Sequence, residues 1–186
     1  MKIIVKYVYF IFSLIFLLYL LLPNPNFPEA SRDALQSNEP ADTETPLRRA
    51  YFTNYSREEV VKHYLEQFSK NSFKNLPLIT YRLNYPPEEA QSIIRDQTRS
   101  TFLEEIVHPF RESLYINGFE PKDEKDAIFI AGKFWRQKII VRYVPSNLWL
   151  RFSIGVISLF LFSLILREWS KLMTKLKRRA KIWTFR

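Results

Sequence analysis

Cysteine is absent from the 186 residues, which removes disulfides, thiolate zinc sites, thiol nucleophiles and a lipidated cysteine together. Glycine occurs three times, as Gly118, Gly132 and Gly155, too few for the glycine-dependent loops that cradle phosphates. Histidine occurs twice, and no His-Glu-x-x-His, Gly-x-Ser-x-Gly or EF-hand-like pattern is present. No residue set therefore fixes an activity, and no catalytic, metal-ligating or cofactor-binding residue is assigned.

What the chain does have is two long apolar runs. Leu148 to Leu166, LWLRFSIGVISLFLFSLIL, would span roughly 30 Å as a helix, the thickness of a hydrocarbon core. Its one charge, Arg151, lies near an end, where it would snorkel to the headgroups, and Trp149 and Trp169 take interface positions. Ile3 to Leu22 is the second run, interrupted only by Lys6, within residues 1–22. It is longer than the roughly 7 to 15 apolar residues of a cleaved signal peptide and leads into Pro23-Asn24-Pro25 rather than a small-x-small site. It reads as an uncleaved signal anchor.

The net charge is +9, and its distribution decides what it means. Between Pro23 and Asn147 there are 17 Lys plus Arg against 18 Asp plus Glu, whereas Arg167 to Arg186 holds eight basic residues against Glu168 alone. The positive-inside rule then places both termini in the cytoplasm and the middle of the chain on the far side.

Residues 23–49 are rich in Pro, Asn, Ser, Thr, Asp and Glu and read as a flexible stalk. From 50 to 146 the pattern predicts a small extracytoplasmic α+β domain with two helices and a few strands. Ser56-Arg57-Glu58-Glu59 is a capping box ahead of Val60, Val61, Tyr64, Leu65 and Phe68 at helical spacing, giving a helix over about 57–69. Leu78 to Tyr85 alternates as a half-buried strand, and Pro86-Pro87-Glu88-Glu89 opens a second helix to about Arg99, with Ala90, Ile93, Ile94 and Gln97 inward. Phe102 to Gly118 is expected as two extended pieces broken at Pro109. Ala127–Ile130 and Trp135–Val144 would close the domain as a β-hairpin around Ala131-Gly132-Lys133. Tyr81, Tyr85, Trp135 and Tyr143 are placed inward.

Residues 167–186 carry a sorted tail. Trp169, Leu172, Met173, Leu176, Ala180 and Trp183 share one arc of a helix, with Lys171, Lys175, Arg178 and Lys181 on the rest of the circle. This reads as a basic interfacial helix on an anionic inner leaflet. The membrane-interface residues are thus Lys6, Trp149, Arg151, Trp169, Lys171, Lys175, Arg178, Arg179, Lys181 and Trp183. Segregation of the hydrophobes argues against a nucleic-acid arm. Gly155 and Ser158 share a side with Phe162 in the second span, a weak small-residue face for helix pairing, and the side is expected to be plainly lipid-facing with incidental small residues.

His63 lies between Glu59 and Glu66 on the first helix, which supplies too few ligands for a stable metal site. The function expected is a membrane-anchored, non-enzymatic interaction or sensor-like module. It would bind a protein, peptide or glycan and have a protein partner in the membrane or envelope. The competing readings are a membrane-bound enzyme, a hydrolase for example, using Glu104, Glu105 and His108, and a small accessory subunit of a larger membrane complex.

Overall fold

The computed structural model describes residues 2–70, 76–94 and 99–183, with side chains over 4–70, 76–94 and 99–176. Among these residues it is an α+β protein with four helices and a six-stranded antiparallel sheet. The chain divides into two units, residues 22–146 and a pair of helices formed by 1–21 and 147–186.

The first unit is the sheet and its covering elements. The strands are β1 (Leu35–Gln36), β2 (Arg48–Thr53), β3 (Tyr81–Tyr85), β4 (Phe102–Val107), β5 (Ser113–Phe119) and β8 (Gln137–Val144), in the order β1-β2-β8-β5-β4-β3. Alternation along the strands sends successive residues to opposite faces. One face carries Tyr51, Phe102, Ile106, Leu114, Ile116, Ile139, Val141 and Tyr143, covered by α2 (Arg57–Phe68) through Val60, Tyr64 and Phe68. The other carries Ala50, Leu103 and Ile140, covered by Ala90 and Ile94 at α3 (Ala90–Ile93).

Helix α2 starts where its capping box requires: Ser56 accepts from the Glu59 N–H, and Glu59 accepts from the Ser56 N–H at 2.7 Å. Pro109 ends β4 as expected. A turn closes with the Arg111 N–H donating to the His108 carbonyl, and Phe110 there takes a left-handed φ of 62°. Gly118 is required by packing, since a Cβ at that position would run into the Phe102 ring.

Four expectations need correction. Residues 23–49 are not set apart as a stalk: Phe27, Ala30 and Ala34 pack on the α2 side of the sheet and β1 pairs with β2. Their polar residues are spent on the domain. Asp33 accepts from Thr53 Oγ1 at 2.8 Å and from the Asn54 N–H at 2.7 Å, and Asp42 pairs with Lys138 at 2.7 Å. Burial would raise the Asp33 pKa, but these bonds outweigh it and hold it below the usual carboxylate range.

The third strand begins at Tyr81, not Leu78, and lies at the sheet edge, so Tyr81 is 56 % exposed rather than inward. The second helix is shorter than its pattern. A 3-10 turn at Pro87–Glu89 leads into α3, and Ile94 is already extended, while Gln97 lies outside the described residues. The closing hairpin is split. β6 (Ile128–Ile130) pairs with β7 (Lys133–Trp135) as a separate two-stranded sheet, and the chain bends at Arg136 before β8 joins the main sheet. Asn54 Oδ1 accepts from the Arg136 N–H and Glu120 from its Nε, which holds the bend. Ala131 and Gly132, both at positive φ, make the two-residue turn.

The second unit is α1 (Lys2–Leu21) against α4 (Leu148–Trp183). Asn147 caps α4, its Oδ1 accepting from the Leu150 N–H at 3.0 Å.

Candidate functional site

The two end helices are each long and apolar enough to cross a membrane. They run antiparallel. Arg151 donates from Nε to the Leu20 carbonyl at 2.6 Å, Gly155 abuts Leu20, Phe16 and Leu17, and Tyr9 donates its hydroxyl to the Leu159 carbonyl at 2.6 Å. As α4 advances its contacts move back along α1, so residues near Lys2 and near Arg167 share one end of the pair. The side of α4 turned to α1 is Arg151, Gly155, Leu159 and Ser163, spaced four apart as a helix face requires.

Three sequence expectations change here. Arg151 does not snorkel outward. It is 6 % exposed and caps the last turn of α1, whose carbonyls have no intrahelical donor. Gly155 does not face away from the protein: it packs on α1, with Leu159 and Ser163 on the same side, whereas Ser158 is exposed. The tail is not a separate helix, because α4 continues without a break from Leu148 to Trp183, 36 residues or about 54 Å. Lys6, Trp149, Trp169, Lys171 and Lys175 are exposed on the two helices. Arg178, Arg179, Lys181 and Trp183 fall within α4, with side chains outside those described.

Gly155 gives a direct test of the pairing. Gly155→Leu would drive a branched side chain into Leu20, Phe16 and Leu17, at a cost of about 1–3 kcal/mol for overpacking. Ser158→Leu, on the exposed side, should leave thermal stability in detergent unchanged. Equal melting of the two variants would disprove the interface.

In the sheet unit, Glu104 and Glu105 are adjacent in β4 and so point to opposite faces. Buried Glu104 is held by Arg57 and by Arg82, the latter at 2.8 Å, while Arg82 also reaches Glu58 at 2.9 Å. Burial would raise the Glu104 pKa, but the two guanidinium groups outweigh it and keep it ionised below the usual range. Glu105, on the face toward α3, accepts from the Tyr85 hydroxyl at 2.5 Å, which pushes that phenol up to about 12. The two carboxylates cannot act on one bond. The constellation Glu104, Glu105 and His108 is therefore not brought together.

His108 instead belongs to a cluster that spacing alone did not reveal. Its Nδ1 donates to Glu112 at 2.9 Å, and its ring stacks on Phe68 at 4.4 Å between centroids. Glu112 also accepts from Arg111 at 2.9 Å and from the Ser146 hydroxyl at 3.2 Å. Arg111 in turn donates to the Pro23 carbonyl at 2.9 Å, and Asn24 Nδ2 donates to the Ser146 carbonyl at 2.8 Å. These bonds tie together the two places where the chain enters and leaves the sheet unit. Burial would raise the Glu112 pKa, yet His108 and Arg111 overcome that and hold it below the usual carboxylate range.

The opposite end of the sheet carries the β6–β7 hairpin. β5 starts at Ser113 opposite Val144 and ends at Phe119 opposite Lys138, so the hairpin leaves from the end far from Ser146. Phe129 and Phe134 are 65 % and 52 % exposed there and meet edge to face at 5.6 Å. His63 faces the Glu29 carbonyl and Gln67, not a second carboxylate site. Among the described residues no cluster of three or more His, Asp or Glu could hold a metal ion.

The chain matches no protein-family model, no curated protein and no solved structure. Fold and site together define it by architecture: an antiparallel α+β domain inserted between two apolar helices that pair with each other.

Proposed function

We propose that the chain is a membrane-anchored interaction module. In this reading α1 and α4 cross the bilayer, both termini lie in the cytoplasm, and residues 22–146 stand on the other side, where they bind a protein, peptide or glycan. The observation that carries it is the antiparallel pairing of α1 with α4. That pairing brings Lys6 to the same end as the basic stretch from Arg167, while the inserted middle is nearly neutral, the asymmetry the positive-inside rule requires. The exposed Phe129 and Phe134, at the domain end away from both connections, form the surface suited to a partner.

The absence of cysteine makes the topology directly measurable. Lys125→Cys in the domain and Lys175→Cys in α4 are each the sole thiol of their variant. A membrane-impermeant maleimide applied to intact cells or spheroplasts should label the first and reach the second only after lysis. The reverse pattern would invert the arrangement and end this reading.

Phe129→Ser with Phe134→Ser should shift the unfolding midpoint by no more than about 0.5 kcal/mol, as for exposed positions. The same double variant should abolish cross-links from a photoreactive group at Ile130. Cross-links that survive it would move the binding surface elsewhere.

A further inference from the structure

A groove of about 540 Å³ opens between the first turns of α1 and the middle of α4. Val5, Tyr9 and Leu166 form its apolar walls, and Lys6, Arg167 and Lys171 stand around it. The Tyr9 hydroxyl is already committed to the Leu159 carbonyl, so the side chain offers the groove its ring rather than a polar atom. Between them, residues 1–21 and 147–186 contain a single acid, Glu168. It pairs with Lys171 at 2.6 Å, and Lys6 and Arg167 have no ion-pair partner among the described residues. Three cations thus converge with one carboxylate between them, beside a mostly apolar slot.

We propose that this groove holds one anionic phospholipid, its phosphate among Lys6, Arg167 and Lys171 and an acyl chain along Val5, Tyr9 and Leu166. The inference rests on the reading that α1 and α4 cross the bilayer. Basic pockets between spans on the cytoplasmic side select anionic headgroups because each cation gains from the negative charge in a region of weak screening. A free phosphate ion would satisfy the cations and leave the apolar walls uncovered. A zwitterionic lipid would fill the walls and leave the cations without net compensation.

The test uses the full chain in non-ionic detergent, with binding read by native mass spectrometry. The probes are phosphatidylglycerol, phosphatidylcholine of the same acyl chains, and inorganic phosphate. Wild type should retain one phosphatidylglycerol per chain in preference to the other two. Lys6→Gln, Arg167→Gln and Lys171→Gln together should weaken it roughly a hundredfold. The charge-preserving set Lys6→Arg, Arg167→Lys and Lys171→Arg should restore most of the binding, which separates loss of charge from loss of fold.

Lys175→Gln with Arg178→Gln, farther along α4, should change it little. Equal binding of phosphatidylcholine, equal binding of inorganic phosphate, or equal losses in the groove and distal variants would each overturn the proposal. Alkaline washing of native membranes separates the two levels. Release of the chain would remove the spanning reading itself, whereas retention without a headgroup preference would remove only the lipid site.

Discussion

Glu112→Ala should cost the sheet unit about 3–5 kcal/mol, the loss expected when one partner is deleted from a buried ion pair. The Glu112 and Arg111 side chains are both fully buried, so removing the carboxylate takes from the buried guanidinium the ion-pair partner it holds at 2.9 Å. His108 Nδ1 and the Ser146 hydroxyl would lose their acceptor as well. A small domain has only about 5–15 kcal/mol in total, so the shift would be plain in urea unfolding followed by circular dichroism. A loss below about 1 kcal/mol, the range of an exposed pair, would show that Glu112 does not hold this corner together.

The pH dependence has a definite sign. Glu112 and Glu104 both have native pKa values held below their ordinary value of 4.5. Their contribution is fully present above that value and is lost as the pH falls through the lower native values. Glu112→Gln should therefore flatten the acid limb of the stability curve while leaving its neutral portion lowered.

Phe68→Ala should cost a comparable amount, about 3–5 kcal/mol, through lost transfer energy and the cavity left behind. The ring is buried, stacks on His108 and meets Tyr143 edge-on at 5.9 Å. Phe68→Leu refills part of the volume and should recover more than half of the loss. Because Phe68 and Glu112 both contact His108, their double variant should fall short of the sum of the single effects. Strict additivity would mean that the imidazole does not couple the helix to the turn.

The elements readable from the sequence were those whose signals are local. The capping box at Ser56, the proline break at Pro109 and the Ala131-Gly132 turn all act within a few residues. What escaped depended on distant partners. Composition marked 23–49 as unable to order itself, because it counted too little apolar surface. The segment is fixed instead by carboxylates such as Asp33 and Asp42 meeting donors on β2 and β8, and by buried Pro25 and Pro28.

His108 and Glu112 are four apart, but with Pro109 between them no helix could be invoked to join them. A tight turn does it instead. Arg151 looked like a snorkelling cation because the carbonyl it caps belongs to residue 20, on the other helix. The basic tail differs from the span in composition from Arg167 onward, yet the helical backbone runs through that point unbroken.

Asn24 and Ser146 stand a single hydrogen bond apart, though they are separated by 122 positions along the chain. Whatever is inserted at that point has to begin and end at nearly the same spot. The helical hairpin is therefore a generic mount, and the α+β body an exchangeable cassette. Any globular unit with adjacent termini could be grafted between Pro23 and Asn147 without redesigning the α1–α4 pair.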